Sequence, residues 1–364
     1  MITINDLGLV ACQSGVSIRE AMARLNANPH VFQVVVDPNG RLVGTVTDGD
    51  VRRGLLRGVS LDRPVTECMQ REPTTGRFGG ALEEAENAGK LARLQSRIAF
   101  LPIVDEQGHL RQVLVLPRTP PRSQSVALVM AGGAGKRLGD VTKKTPKPLV
   151  SVGHKTLLDR ALEHLEEVNV NDIYVSVYYL ADEIEAFVAT RRSRSRIHIL
   201  REDTPLGTAG AIALLPADVD KPLIVLNVDV LTRVDLSTLL AFHNRHGLDG
   251  TIAAAQHEVQ IPYGVVNHSE DGLFLGVDEK PSVIHFVAAG IYVLGREVRA
   301  LVRPNVPMDM PELLNAARNA GLRLGLFPIH EYWTDVGHPG DLSAARQRFG
   351  TPGTEGRGGT DPLT

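Results

Sequence analysis

A strand-like run, Val126-Ala127-Leu128-Val129-Met130, opens directly into Ala131-Gly132-Gly133-Ala134-Gly135-Lys136-Arg137, the first place where this chain offers chemistry. Glycines at 132, 133 and 135 let the backbone pass close to a polyphosphate without side-chain obstruction, while Lys136 and Arg137 bring positive charge to the same turn. Alone, such a loop is equally a plain tight turn, and it fits neither the GxxxxGK[ST] nor the GxGxxG pattern. A few residues on, Pro146 and Pro148 restrict the backbone around Lys147. A lysine held rigidly beside a glycine loop suits the neutralisation of phosphate charge.

Strand, glycine loop and Pro-Lys-Pro together resemble the sugar nucleotidyltransferase family, whose signature is a strand, a GG-x-G-[ST]-RL loop and a downstream PKP. The resemblance implies that Ala131, Gly132, Gly133, Gly135 and Lys136 lie along the nucleotide, with Arg137 and Lys147 as catalytic cations. Lys136 stands where the family usually has a small hydroxyl residue. Further family segments follow in order. Leu206-Gly207-Thr208-Ala209-Gly210 is similar to a turn beside base and sugar, which implies nucleotide contacts from Gly207 and Thr208; read alone, Thr208 is a helix cap. Asp229, ending the apolar run before it, corresponds to a magnesium-binding aspartate, although Val228 replaces the usual glycine and would crowd the ribose. Tyr263 and Gly264, then Glu279 and Lys280 of an EKP segment, and Gly290 of Ala289-Gly290-Ile291-Tyr292 are implied contacts of the sugar phosphate, with Ala288 in place of a polar residue. Asp335 in Trp333-Thr334-Asp335-Val336-Gly337 would be the second carboxylate of the metal.

Magnesium needs hard oxygen ligands, so two aspartates with phosphate oxygens and water make a plausible octahedron. The implied reaction is attack of a sugar-1-phosphate oxygen on the α-phosphate of a nucleoside triphosphate, catalysed by positioning and charge rather than by a protein nucleophile. GTP with glucosamine-1-phosphate is the expected pair, for surface-glycan synthesis, with mannose- or heptose-1-phosphate as alternatives. A non-catalytic regulatory subunit of the same fold is the competing reading, suggested by Lys136, Val228 and Ala288.

The elements that must hold these residues follow from periodicity. After residue 125, strands alternate with helices, among them a run from Leu157 to Val168 whose Leu158, Ala161, Leu162 and Leu165 form one apolar stripe. Such alternation predicts an α/β, Rossmann-like sheet, mixed but mainly parallel, over 126–349. Before it, Leu116 to Ser125 concentrates three prolines and reads as part of a linker, set at 117–125. Residues 1–116 contain an internal repeat: a helix-like run, then VFQVVVD and RLVGTVT about Pro38-Asn39-Gly40, and again a helix-like run, then IAFLPIVD and LRQVLVL about Glu106-Gln107-Gly108. The run Val43 to Arg53 resembles the closing motif of a CBS repeat, which implies an α+β tandem CBS pair. Thr47 and Asp50 are then the implied ligands of an adenine or guanine nucleotide effector. The second repeat has no such threonine and aspartate, and a purely structural or dimerising pair is the alternative.

Composition narrows the partners. With 39 basic and 42 acidic residues among 364, the net charge of -3 gives no general field for nucleic acid or anionic membrane, so phosphate binding must be local. Cys12 and Cys68 lie far apart without CxxC spacing, read as free buried thiols of a reducing, cytoplasmic compartment, and the opening MITINDLGLV has no export signature. His243 and His246 are expected on a solvated helix face, Arg191 to Arg196 as a solvated basic loop, and the glycine-rich tail 350–364 as disordered. Self-association is expected through the front module.

Overall fold

The computed structural model describes residues 1–28, 30–94, 98–117, 125–217 and 219–349; most of the expected linker, 118–124, and the tail, 350–364, lie outside the described residues. The described residues divide into two compact units, one within Met1–Pro121 and one within Arg122–Glu355. Among the described residues no helix is long and apolar enough to cross a membrane.

The first unit runs β1 (Ile2–Ile4), β2 (Ala11–Gln13), α1 (Ile18–Ala27), β3 (Phe32–Val36), β4 (Leu42–Thr47), α2 (Asp48–Leu56), β5 (Gly76–Arg77), α3 (Ala81–Arg93), β6 (Ile98–Val104) and β7 (Leu110–Pro117). Among the described residues it carries the sheets β2-β3-β4 and β1-β7-β6-β5. Its halves meet through equivalent residues. Asp37 Oδ1 accepts from the N–H groups of Asn39 and Arg41, and Asp105 Oδ1 does the same for Gln107 and His109. The two turns then exchange reciprocal bonds, Leu42 N–H to Gly108 O at 3.0 Å and Leu110 N–H to Gly40 O at 3.1 Å. Phe32 stacks on Phe100 with ring centroids 4.0 Å apart and planes 2° from parallel. Buried aromatic stacking of this kind adds to area burial.

The second unit begins with β8 (Val126–Met130), β9 (Ser151–Val152), β10 (Lys155–Thr156), α4 (Leu157–Glu167), β11 (Asp172–Val177), α5 (Ala181–Thr190), β12 (Arg196–Arg201) and the single turn α6 (Gly207–Gly210). It continues with β13 (Leu223–Asn227), β14 (Val230–Thr232), α7 (Leu236–His246), β15 (Gly250–Gln260), β16 (Gly264–His268), β17 (Phe274–Glu279), β18 (Ser282–Leu294), α8 (Arg296–Arg299), α9 (Met310–Asn319), β19 (Leu324–Ile329), β20 (Trp333–Asp335) and α10 (Pro339–Phe349). The seven-stranded sheet has the order β12-β11-β8-β13-β18-β15-β19, parallel throughout except for β18. Period-two alternation sends Ala127 and Val129 of β8 into the core shared with α4, α5 and α7, and Val126 and Leu128 into the opposite core shared with α9. Both faces are covered, as strands with continuous apolar runs require. The expected mixed, mainly parallel α/β sheet is what forms.

Strand order reverses beside β8. The chain moves outward through β11 and β12 and then returns to the other side at β13. Loops leaving β8 and β13 therefore diverge, opening a crevice at their carboxyl ends, the usual ligand position in an open α/β sheet. Two expectations of solvent exposure fail in this unit, each at a single residue, while His246 is exposed as expected. His243 is buried, 4% exposed, with Nδ1 3.0 Å from Thr251 Oγ1, because its position on α7 faces the sheet. Arg191 is likewise withdrawn from solvent, its guanidinium held between Asp159 and Glu166 at 2.6 Å each, whereas Arg192, Arg194 and Arg196 of the same stretch are exposed as expected.

Candidate active site

The crevice holds a cavity of about 360 Å³ lined by the glycine loop, Lys147, the 205–208 turn and the 227–229 segment, with Gly337 at its side. Its construction starts at Gly135, whose φ of +63° favours glycine and whose Cβ would lie 2.9 Å from Lys147 Cβ. The absence of a side chain there is what lets Lys147 approach. Thr142 Oγ1 donates to Gly135 O at 2.9 Å, closing the loop onto the 3₁₀ turn of Lys136–Thr142. Pro146 and Pro148 flank Lys147, which is 7% exposed, and its ammonium contacts Asp229 Oδ2 at 2.6 Å.

Asp229 and Asp335 are far apart in sequence but meet because β14 and β20 pair antiparallel, Val230 facing Asp335, with Val336 N–H bonded to Asp229 O at 3.0 Å. Burial, and then the neighbouring Asp229 charge, push the Asp335 carboxyl above the usual carboxylate range, while Lys147 and Arg137 pull against that shift. Asp335 Oδ1 is buried and has no hydrogen-bond partner among the described residues. A buried acceptor of this kind beside a second carboxylate fits a divalent cation, which would relieve both the orphaned oxygen and the like-charge repulsion. Arg137 stands close by: a Cβ on Gly337 would lie 3.7 Å from its guanidinium carbon and 3.5 Å from Asp335 Oδ2.

Most of the implied nucleotide residues converge here. Gly132, Gly133, Gly135, Lys136, Arg137, Lys147, Gly207, Thr208 and Asp229 line the cavity, with Val228 among them, 5% exposed. Ala131 is buried behind the lining, its N–H bonded to Ser176 O. Gly290, with φ +72°, backs onto Asn227, whose Oδ1 is a second buried acceptor without a partner among the described residues. Tyr263, Gly264 and Glu279 belong to the β16–β17 region and Lys280 follows it; none lines the cavity, and Tyr263 is 74% exposed. In the first unit, Thr47 N–H and Oγ1 both donate to Asp50 Oδ2, at 2.9 and 2.6 Å, and Arg53 takes the other oxygen. A ligand at that position would have to compete with those contacts.

Sequence reasoning missed two carboxylates. Glu202, buried under the glycine loop, accepts from Ser176 Oγ and from Leu206 N–H at 2.9 Å, and a Cβ on Gly132 would come 2.8 Å from its Oε1. Asp309 Oδ1 accepts from Thr208 N–H at 2.9 Å and Oγ1 at 3.2 Å. Neither lies in a recognisable spacing, although the glycines they touch were legible.

A glycine loop, clamped cations and paired carboxylates at the switch point of a mainly parallel sheet define an α/β enzyme that handles nucleoside phosphates. Residues 126–350 match the model of the nucleotidyl transferase family, and residues 4–57 match that of the CBS domain. The chain is 31% identical over 266 residues to the mannose-1-phosphate guanylyltransferase catalytic subunit beta of Drosophila pseudoobscura pseudoobscura, covering 68% of this chain and 71% of that protein. It is 34% identical over 226 residues to the mannose-1-phosphate guanyltransferase of Schizosaccharomyces pombe, covering 59% of this chain and 61% of that one. Among solved structures, a Bacillus anthracis protein described as a glucose-1-phosphate thymidylyltransferase superposes with a TM-score of 0.51 at 20% identity, over 65% of this chain and 98% of its own, a likeness of fold. The chain belongs to the nucleotidyl transferase family, with a CBS domain ahead of the catalytic unit.

Proposed function

We propose that the enzyme transfers a guanylyl group from GTP to a sugar-1-phosphate, releasing pyrophosphate and forming a GDP-sugar. The observation that carries the reading is the convergence, in one cavity, of the glycine loop with the Lys147–Asp229 pair and the adjoining Asp335. Guanine is supported by the relatives, which are guanylyltransferases by name. Mannose-1-phosphate is supported in the same way, and glucosamine-1-phosphate and heptose-1-phosphate remain in the substrate panel.

In the reaction, an oxygen of the sugar phosphate attacks the α-phosphorus in line; that O–P bond forms as the bond from the α-phosphorus to the bridging oxygen breaks, and the electron pair leaves with pyrophosphate. Lys147 and Arg137 offset negative charge at the reacting phosphates, and the glycine loop presents backbone close to them. Asp229 and Asp335 would hold Mg²⁺, which supplies charge neutralisation to the phosphates when bound. For the front module, a nucleotide effector at Thr47 and Asp50 is the accompanying reading, with the CBS match as its support.

Pyrophosphate release measured for each common nucleoside triphosphate against mannose-, glucosamine-, glucose- and heptose-1-phosphate tests the proposal. Turnover restricted to GTP with one of these sugars is expected; no release with any pair would leave the chain a non-catalytic member of its family. Asp229→Ala and Lys147→Ala should each lower kcat by about 10²–10³-fold. Circular dichroism of both variants should match the parent.

A further inference from the structure

The turn from Leu206 to Gly210 forms one wall of the cavity, yet its own residues do little to hold it: α6 is a single turn, and no side chain caps it. Glu202 holds the Leu206 N–H at 2.9 Å, and the remaining attachments come from the segment just before α9. Met308 N–H donates to Leu206 O at 2.9 Å, and Met308 O accepts from Ala209 and Gly210 N–H at 2.9 and 3.1 Å. Asp309 completes the attachment. One oxygen of its carboxylate takes both the N–H and the hydroxyl of Thr208, and that hydroxyl accepts in turn from Met310 N–H at 2.8 Å. Gly207 follows from the same arrangement: φ is +76°, and a Cβ would lie 2.7 Å from Met308 O and 2.8 Å from Asp309 Oδ1. The glycine and threonine of this turn are therefore shaped by an acidic residue 101 positions away as much as by any ligand.

We infer that Asp309 is a positioning residue for the nucleotide: it locks the 206–210 turn in its ligand-ready form, so that binding does not have to order the turn. The inference rests on the reading of this cavity as the GTP site. Asp309 does not line the cavity and touches no reacting atom. Its action is through Thr208 and the backbone of the turn. A carboxylate is used here as an acceptor, not as a charge, so an amide oxygen in the same place can serve.

Asp309 is also the N-cap of α9, with Glu312 closing back on its N–H at 3.1 Å, so loop positioning has to be separated from helix capping. Asp309→Ser keeps a capping hydroxyl but is too short to reach Thr208. Glu312→Ala loosens the cap and leaves the Thr208 bonds alone. Calorimetric titration of the full chain with GTP and MgCl2 should give a Kd raised about tenfold or more in Asp309→Ser, because the freed turn must be ordered on binding. Asp309→Asn and Glu312→Ala should stay within about twofold of the parent, as acceptor and turn are both retained. In steady state, KM for GTP should rise in Asp309→Ser while KM for the sugar phosphate holds, and hydrogen exchange at Thr208, Ala209 and Gly210 should quicken in that variant alone. Equal GTP affinity in Asp309→Ser and the parent overturns the inference, as does an equal weakening in Glu312→Ala. A parent chain that binds no nucleoside triphosphate overturns the functional reading beneath it.

Discussion

At the scale of single residues, the site is governed by how little room is left around Lys147. Gly135→Ala would place a methyl group 2.9 Å from Lys147 Cβ in a backbone conformation unsuited to it, so turnover should fall by more than about tenfold while the rest of the fold persists. Pyrophosphate release and thermal unfolding, run side by side, check that split. Lys147 also occupies an Asp229 oxygen that a metal would need, so Lys147→Met should bind Mn²⁺ without nucleotide more tightly than the parent. Electron paramagnetic resonance of free Mn²⁺ measures it. Two histidines, His243 buried and His164 half-buried, act on stability instead. Burial lowers the pKa of His164, whose Nε2 lies 2.7 Å from Val234 O, and of His243. A depressed folded pKa means that the unfolded chain binds more protons as pH falls below about 6.5, so their contribution is complete above that value and is lost on acidification. Urea midpoints measured from pH 7.5 to 5 should drop, and His164→Gln should flatten part of the slope. Cys12 and Cys68 behave oppositely: burial pushes both thiols up to about 11, so thiol reagents at pH 8 should label neither until the chain is denatured.

At the scale of elements, α4 shows why so much was legible. Leu158, Ala161, Leu162 and Leu165 recur at helical spacing, and all are buried in the core beside β8 and β11. Leu162→Ala should cost about 2–5 kcal/mol of the catalytic unit's stability, read from urea unfolding. Strand alternation and turn glycines carry equally local signals, which is why the sheet class, the glycine loop and the rigid lysine could be read before any coordinates. Asp309 and Glu202 could not, since their roles exist only once distant segments touch. His243 was misplaced for a related reason: a histidine on a helix carries no mark of which face will meet the sheet. Tyr263, Glu279 and Lys280 fall between these cases, legible as a motif but carried by a two-stranded ribbon with large exposed apolar residues, Val266, Phe274 and Val277 among them, outside the cavity lining.

At the scale of the whole molecule, the two units have separate cores and separate chemistry to offer. If the front module senses a nucleotide at Thr47 and Asp50, titration with AMP, ATP and GTP should saturate at one ligand per chain, because the second half ends in β7 without that pair, and Asp50→Ala should abolish the heat. No saturable heat with any of the three would dismiss a sensor there. The two halves of the first unit meet through matching contacts. Reciprocal bonds between Gly40 and Leu110, and between Gly108 and Leu42, with Phe32 lying on Phe100, mean that each half offers the other a surface much like its own. A fragment ending after Gln70, which keeps Val65 and Cys68 in the core of that half, would be left with one unmatched ring and one set of open backbone groups, and a second fragment could supply both. The fragment should therefore sediment as a homodimer whose seam reuses the contacts that join the two halves of the intact unit.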